Sequence, residues 1–236
     1  MLRLCLALAV AVQGVSGAEA ETWRRGGFRF AEGGAVRIIV FEPEVLVGSI
    51  DMGGVEVIDP DWTAAARAKL ASQIEARQRA LGNEIVFLPH LTGEEEKLVA
   101  DYKALFRVVA SAAEAHEIQP GKALPAKPQG ATWTLGPGAA RIGAIGGGGY
   151  ALFVISYDAF GTGPRKFLRV LTGEAAAAML KGSGIHRSYA ALVELSSGDL
   201  VWFNGDPQAG GDPRTDEGAA KRVRQLFGDF PKRRTP

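Results

Sequence analysis

The sequence predicts one α/β domain: a mixed β-sheet flanked by helices, with a C-terminal β-hairpin followed by a helix. Three observations carry this prediction. Strand-length apolar runs alternate with amphipathic helical stripes through residues 35–116. Tyr150-Ala-Leu-Phe-Val-Ile-Ser-Tyr157 is the clearest strand of the second half. Arg187 to Leu195 and Leu200 to Asn204 are two further strands, joined by the turn residues Ser196-Ser197-Gly198-Asp199. The composition agrees with a packed core. Of 236 residues, 47% are hydrophobic, and 27 Lys+Arg against 26 Asp+Glu leave a net charge of +1, which excludes a disordered chain. So small a charge gives no global field for nucleic acid or acidic substrates.

Taken in order, the elements follow from local chemistry. Residues 21–27 are rich in Arg and Gly and read as a flexible arm leading to a short Phe28–Phe30 strand. Ala35-Val-Arg-Ile-Ile-Val-Phe41 is a buried strand ended by Glu42-Pro43. Val45 to Val57, interrupted by Gly53-Gly54, is a second extended region on one edge. Asp59-Pro60-Asp61 starts a helix by placing carboxylates at the positive end of its dipole. Trp62, Ala66, Leu70, Ile74 and Leu81 form its apolar stripe, from which Arg77 must snorkel, and Gly82 ends it. Glu84 to Leu88 is the next strand. Thr92 with Glu95 makes a capping box for a long helix with a seam at Leu98, Tyr102, Leu105, Val109, Ala112 and His116.

The proline-rich stretch from Gln119 to Gly130 reads as an intradomain crossover. A short helix is expected over Gly136 to Ile145, and partial helix over Arg165 to Lys181. Thr215 caps the last helix, with Ala219, Val223 and Leu226 facing inward and Gly228 stopping it. The domain is expected to span 28–229, followed by a basic tail, 230–236.

The first twenty residues read as an address. Arg3 supplies a positive start, Leu4 to Val12 is an unbroken apolar run, and Ala18-Glu19-Ala20 is a small-x-small cleavage site. The run is shorter than the ~20 residues of a membrane span. Cleavage is expected after Ala20, with Ala18 as the alternative. It removes Cys5, the only cysteine, so the remaining chain has neither a disulfide nor a thiolate zinc site.

Reactive constellations are sparse. Gly143-Ala-Ile-Gly-Gly-Gly-Gly149 precedes a strand, whereas a dinucleotide loop follows one, so the glycines read as a turn or close-packed backbone. His90, His116 and His186 have no metal-ligand spacing, and no G-x-S-x-G elbow occurs. No cofactor is expected. The weak ligand-binding candidates are Asp158 and Arg165, flanking the loop after the Tyr150 strand, and Asp206, Asp212 and Arg214 in the polar stretch Asn204 to Asp216. The first pair also reads as a surface ion pair, and the second group as turn and cap residues. Arg222 with Lys221 and Arg224 reads as a solvated basic face of the last helix.

Gly149-Tyr-Ala-Leu-Phe-Val, the hairpin from Arg187 to Asn204 and Gly211-Asp-Pro-Arg-Thr together resemble an uncharacterised family of exported proteobacterial proteins. They are distantly similar to curli-secretion-type envelope lipoproteins, with Glu194 and Ser197 where those have Asp and Thr. The resemblance implies a mixed-sheet α/β fold and a role in envelope assembly or protein–protein contact. Leu2-Arg3-Leu4-Cys5 departs from a lipoprotein box, because no apolar segment precedes it.

The expected protein is thus a periplasmic, non-catalytic binding or assembly module. Its partner would be an envelope protein, with no nucleic acid and no transmembrane segment. The alternative is an exported enzyme or small-ligand binder using the Asp158/Arg165 and Asp206–Asp212 loops.

Overall fold

The computed structural model describes residues 21–26, 28–30, 36–51, 53–118, 124, 126, 132–162 and 184–232. The expected signal peptide, the expected helix over Arg165 to Lys181, most of the connector and the tail from 233 lie outside them.

Among the described residues, eight strands form one mixed sheet: β1 (Glu21–Arg24), β2 (Arg37–Val40), β3 (Glu44–Ile50), β4 (Glu56–Ile58), β5 (Glu84–Val86), β6 (Tyr150–Gly161), β7 (Gly184–Glu194) and β8 (Asp199–Asp206). The order is β1-β8-β7-β6-β2-β5, with β3 beside β6 and β4 beside β3. Pairing is antiparallel from β1 through β6, and parallel where β6 meets β2 and β3 and where β2 meets β5.

β6 is the spine. Its first residues pair with β2 and its last seven with β3, so β2 and β3 lie end to end along one side. The break between them falls at Pro43, which has no N–H for the ladder. Leu152 and Val154 face one layer of helices, and Ala151 and Phe153 face another. Burial on both faces explains why the strand reads as an apolar run rather than as alternation.

On the first face lie α1 (Pro60–Ala80) and α4 (Asp216–Leu226). The Asp59 carboxylate accepts from the Trp62 N–H at 2.9 Å, which fixes the start of α1. Ala66, Leu70 and Ile74 pack against the sheet, as the stripe predicts. Thr63 both accepts from the N–H of Val47 and donates to its carbonyl, tying the helix to β3. Trp202 stacks on Phe227 and meets Phe230 edge-on, which seats the end of α4.

The second face is covered by α2 (Gly93–Ala113), a π-turn over Glu114–Ile118 and α3 (Ala140–Gly146). Phe106 stacks on Phe153 with centroids 4.3 Å apart.

Three expectations are corrected. Glu21–Arg24 pair with β8 rather than forming a loose arm, because Trp23 packs against the second-face core, while Phe28–Phe30 are not a strand. Leu98, Tyr102 and Val109 of the expected α2 seam pack half-buried against the core, but the fully buried residues are Phe106, Ala110 and Ala113, one residue on, and Leu105 is exposed. Thr92 precedes α2 in extended geometry but makes no side-chain cap bond, so no capping box forms. The glycines of 143–149 end α3: Gly147 caps it at φ +65°, and a Cβ on Gly146 would meet Ile39 at 2.4 Å. They are close-packed backbone, with helix carbonyls rather than N–H groups facing the loop. Among the described residues no helix is long and apolar enough to cross a membrane.

Gly198 in the β7–β8 turn has φ +79°, and a Cβ there would lie 2.0 Å from the Gly136 carbonyl oxygen. Gly198→Ala should therefore destabilise by more than about 1 kcal/mol. Ile74→Ala, at a fully buried site, should cost about 2–5 kcal/mol. Val108→Ala, 69% exposed, should fall within about 0.5 kcal/mol of the parent in the same denaturant unfolding series.

Candidate functional site

The polar groups that the apolar strands carry gather on the first face of the sheet, at the carboxyl end of β6. Ser156 and Asp158 continue the side-chain row of Leu152 and Val154. Register sets Ser188 opposite Ser156 and His186 opposite Asp158, and sets Asp206 of β8 opposite Ser188. A two-residue periodicity and a hairpin thus bring residues remote in sequence onto one patch.

Arg222 of α4 closes it. Its side chain is 1% exposed and that of Asp158 is fully buried. Nη1 donates to Oδ2 of Asp158 and, at 2.8 Å, to Ser156 Oγ; Nη2 donates to Oδ1 of Asp158 at 2.9 Å. Further Arg222 N–H groups reach the carbonyls of Ala209, Gly210 and Gly211 at 3.3, 3.3 and 2.6 Å. The Ser156 and Ser188 hydroxyls lie 3.1 Å apart. His186 Nδ1 is 2.7 Å from Oδ1 of Asp158, with the imidazole edge partly exposed and the Phe160 ring beside it at 4.9 Å.

Next to this cluster, Asp212 binds Arg214 through both oxygens, and the Arg214 guanidinium lies over Phe160 at 3.8 Å and Trp62 at 4.3 Å. The bonds from Arg214 hold the Asp212 carboxyl below its ordinary 3.8, whereas burial pushes that of Asp206 above it. Asp206 Oδ1 accepts from the Gln208 N–H at 3.1 Å, an Asx turn. Burial and bonds to Glu56 and Glu114 push the Tyr157 and Tyr189 phenols up to about 12, so neither ionises near neutrality.

Asp158 and the loop carrying Asp206 and Asp212 do converge, but on the Arg222 guanidinium rather than on an open cavity. Arg165 lies outside the described residues. Asp158 is not half of a surface pair, and Arg222 is not a solvated helix residue; both readings are corrected by their burial. Asn204 bonds the Leu226 carbonyl and Asp216 bonds Lys69, so the two ends of the polar stretch Asn204 to Asp216 are spent on separate partners. Among the described residues no group of three His, Cys, Asp or Glu is placed to hold a metal.

Sequence reasoning passed over Arg222, His186, Ser156 and Ser188. Two signals were present. Ser156 and Asp158 are successive same-face polar residues in an apolar strand. Arg222 falls inside the inward stripe of Ala219, Val223 and Leu226.

Neither a protein-family model nor a curated protein matches the chain. Among solved structures, the chain is similar to the PelC dodecamer from Paraburkholderia phytofirmans. That likeness has 12% identity and a TM-score of 0.35, over 88% of this chain and 96% of that one. A substituted form of the same PelC dodecamer gives 13% identity and the same TM-score over 88% and 95%. Likeness this remote leaves any functional reading to the residues themselves.

Two outcomes follow from the buried cluster. Arg222→Met strands the Asp158 carboxylate and should cost about 3–5 kcal/mol, while adding Asp158→Leu should recover a large part of it. Equilibrium unfolding of the parent, both single variants and the double variant checks this; additive losses would contradict it. The Asp206 carboxyl binds its proton more tightly folded than unfolded, so its ionised form costs stability once the pH is above that raised value. Asp206→Asn keeps an acceptor for Gln208 and should melt higher than the parent near pH 7. The gain should vanish as the pH falls through the carboxylate range, where the parent is itself protonated.

Proposed function

We propose that this protein is an exported, non-catalytic binding or assembly module of the cell envelope. The observation that carries the reading is the closure of the Asp158 cluster. An aspartate, a histidine and two serines share one patch, the residue types of nucleophilic catalysis. Yet both Asp158 oxygens are engaged by Arg222, and Ser156 and Ser188 are buried against each other. The group works as the joint between α4 and the sheet.

The surface supports a contact role. Val55 and Val57 are about three-fifths exposed, at and beside β4 on the sheet edge, and Val108 stands out from α2. Between the carboxyl ends of β2 and β5 and the start of α2 lies a groove of about 440 Å³, walled by Phe41, Phe87, Leu88, Pro89 and Leu91. Apolar residues at an unpaired strand edge and in a groove are features of protein contact sites. Export rests on the leader read in residues 1–20, and cleavage after Ala20 leaves every described element whole.

The test is to express the full chain in a bacterium, fractionate the cells and sequence the N-terminus of the periplasmic product. A start at Glu21, or at Glu19 for cleavage after Ala18, is expected; an uncut cytoplasmic product overturns export. A hydrolase screen completes the test. Turnover that disappears in His186→Ala while the melting temperature holds would overturn the non-catalytic reading.

A further inference from the structure

The pocket formed where Arg24, Arg25, Gly26, Phe28 and Arg29 meet residues 228–232 is unlike the buried cluster, because three of its four cations have no carboxylate partner among the described residues. It encloses about 470 Å³ and is lined by Arg24, Arg25, Arg29 and Lys232, with Asp229 the only acid among the described lining residues. We propose that this pocket binds an oxyanionic ligand of the phosphate or carboxylate class. The proposal goes beyond the envelope reading and does not depend on it.

The four cations differ in what they are free to do. Arg25 is committed: Nη1 lies 2.7 Å from Asp199 and Nη2 3.4 Å from Glu194, with its guanidinium over Phe28. It is part of the wall. Arg24 donates from Nη2 to the main-chain carbonyl of Asp229. That bond joins the two segments, and Arg24 has no carboxylate partner among the described residues. Arg29 and Lys232 are exposed and have no carboxylate partner among the described residues. Among the described lining residues, Arg24, Arg29 and Lys232 thus set three positive charges against the one negative of Asp229 in a concave site.

A recess with a charge surplus focuses its field inward and raises the local concentration of anions. Guanidinium forks add directed donors suited to the paired oxygens of a phosphate or carboxylate. The volume is that of a pocket for a small molecule or a lipid headgroup, and far below what a nucleic-acid duplex needs.

The site is also preformed. Phe28 and Phe30 meet edge-on with centroids 5.5 Å apart, Phe30 contacts Phe230 at 6.3 Å, and Phe230 is wedged against Trp202 in the core. The floor is therefore fixed by the first-face core, and the ordering that a ligand imposes is confined to the exposed cationic side chains at the rim. An oxyanion that binds the folded pocket and not the unfolded chain also stabilises the fold by mass action.

The decisive experiment titrates the full chain at low salt with glycerol 1-phosphate and with galacturonate by calorimetry. In parallel the chain is floated with phosphatidylglycerol vesicles, and with phosphatidylcholine vesicles as the uncharged control. Binding of a soluble probe at one site per chain is expected, weakening with added salt. It should weaken at least about tenfold in the double variant Arg29→Gln/Lys232→Gln. That variant should melt with the parent, since both residues are exposed, so a lost signal is not lost folding. Flotation with phosphatidylglycerol alone, abolished in the same variant, supports the site and places the oxyanion on a lipid. If neither soluble probe nor phosphatidylglycerol binds the parent, or if binding survives the double substitution, the proposal is overturned.

Discussion

The burial of the Arg222–Asp158 ion pair is the constraint around which the rest of the first face is arranged. Removing a guanidinium and a carboxylate from water costs several kcal/mol per ion, a cost offset only when their hydrogen-bonding capacity is filled. Filling five guanidinium donors requires acceptors from several directions. Asp158 and Ser156 supply them from β6, and the carbonyls of residues 209–211 supply them from the loop after β8. That loop must therefore pass close over the patch. Gly211 lets it do so, at φ +82° and with no room for a Cβ beside the Gly218 carbonyl. The position of α4, the path of the loop and the register of β6 against β7 are one solution to a single desolvation problem.

Much of the architecture was legible because it depends on local rules. Asp59-Pro60 starts α1 where capping chemistry says it should, and Ser196 to Gly198 turn the hairpin as their conformational freedom allows. What failed was whatever depended on a tertiary partner. The centre of the α2 seam lies one residue beyond the expected line, with Leu98, Tyr102 and Val109 half-buried beside it, because Phe106 finds Phe153 to stack on, and an i, i+3, i+4 pattern cannot rank two adjacent candidate stripes without that partner. β1 was invisible because Glu21-Thr-Trp-Arg24 has no alternation long enough to register; β8 supplies the reason it is extended.

The site was legible in its elements and illegible in its pairing. Asp158 stood out at the end of a strand, but its partner lies 64 residues away on a helix whose other Lys and Arg residues are solvent-facing. Reading Lys221, Arg222 and Arg224 as one basic face missed that helix geometry turns the middle one inward, beside Val223. Apolar periodicity treats a charged residue inside a stripe as an interruption. Here the interruption carries the organising contact.

A formal charge of +1 concealed a sorting of charges by position. Arg222 meets Asp158 in the interior and Arg214 meets Asp212 half-buried beside it, each cation closed by a carboxylate and by ring faces or carbonyls. Such pairs hold elements in register and leave little charge for a ligand. At the junction with residues 228–232, Arg25 is paired with Asp199 and Glu194, while Arg24, Arg29 and Lys232 have no carboxylate partner among the described residues. The near-neutral total is therefore a sum over groups with different tasks. Any recognition of anions has to be sought where pairing is incomplete, and incomplete pairing is a property of the fold that a residue count does not contain.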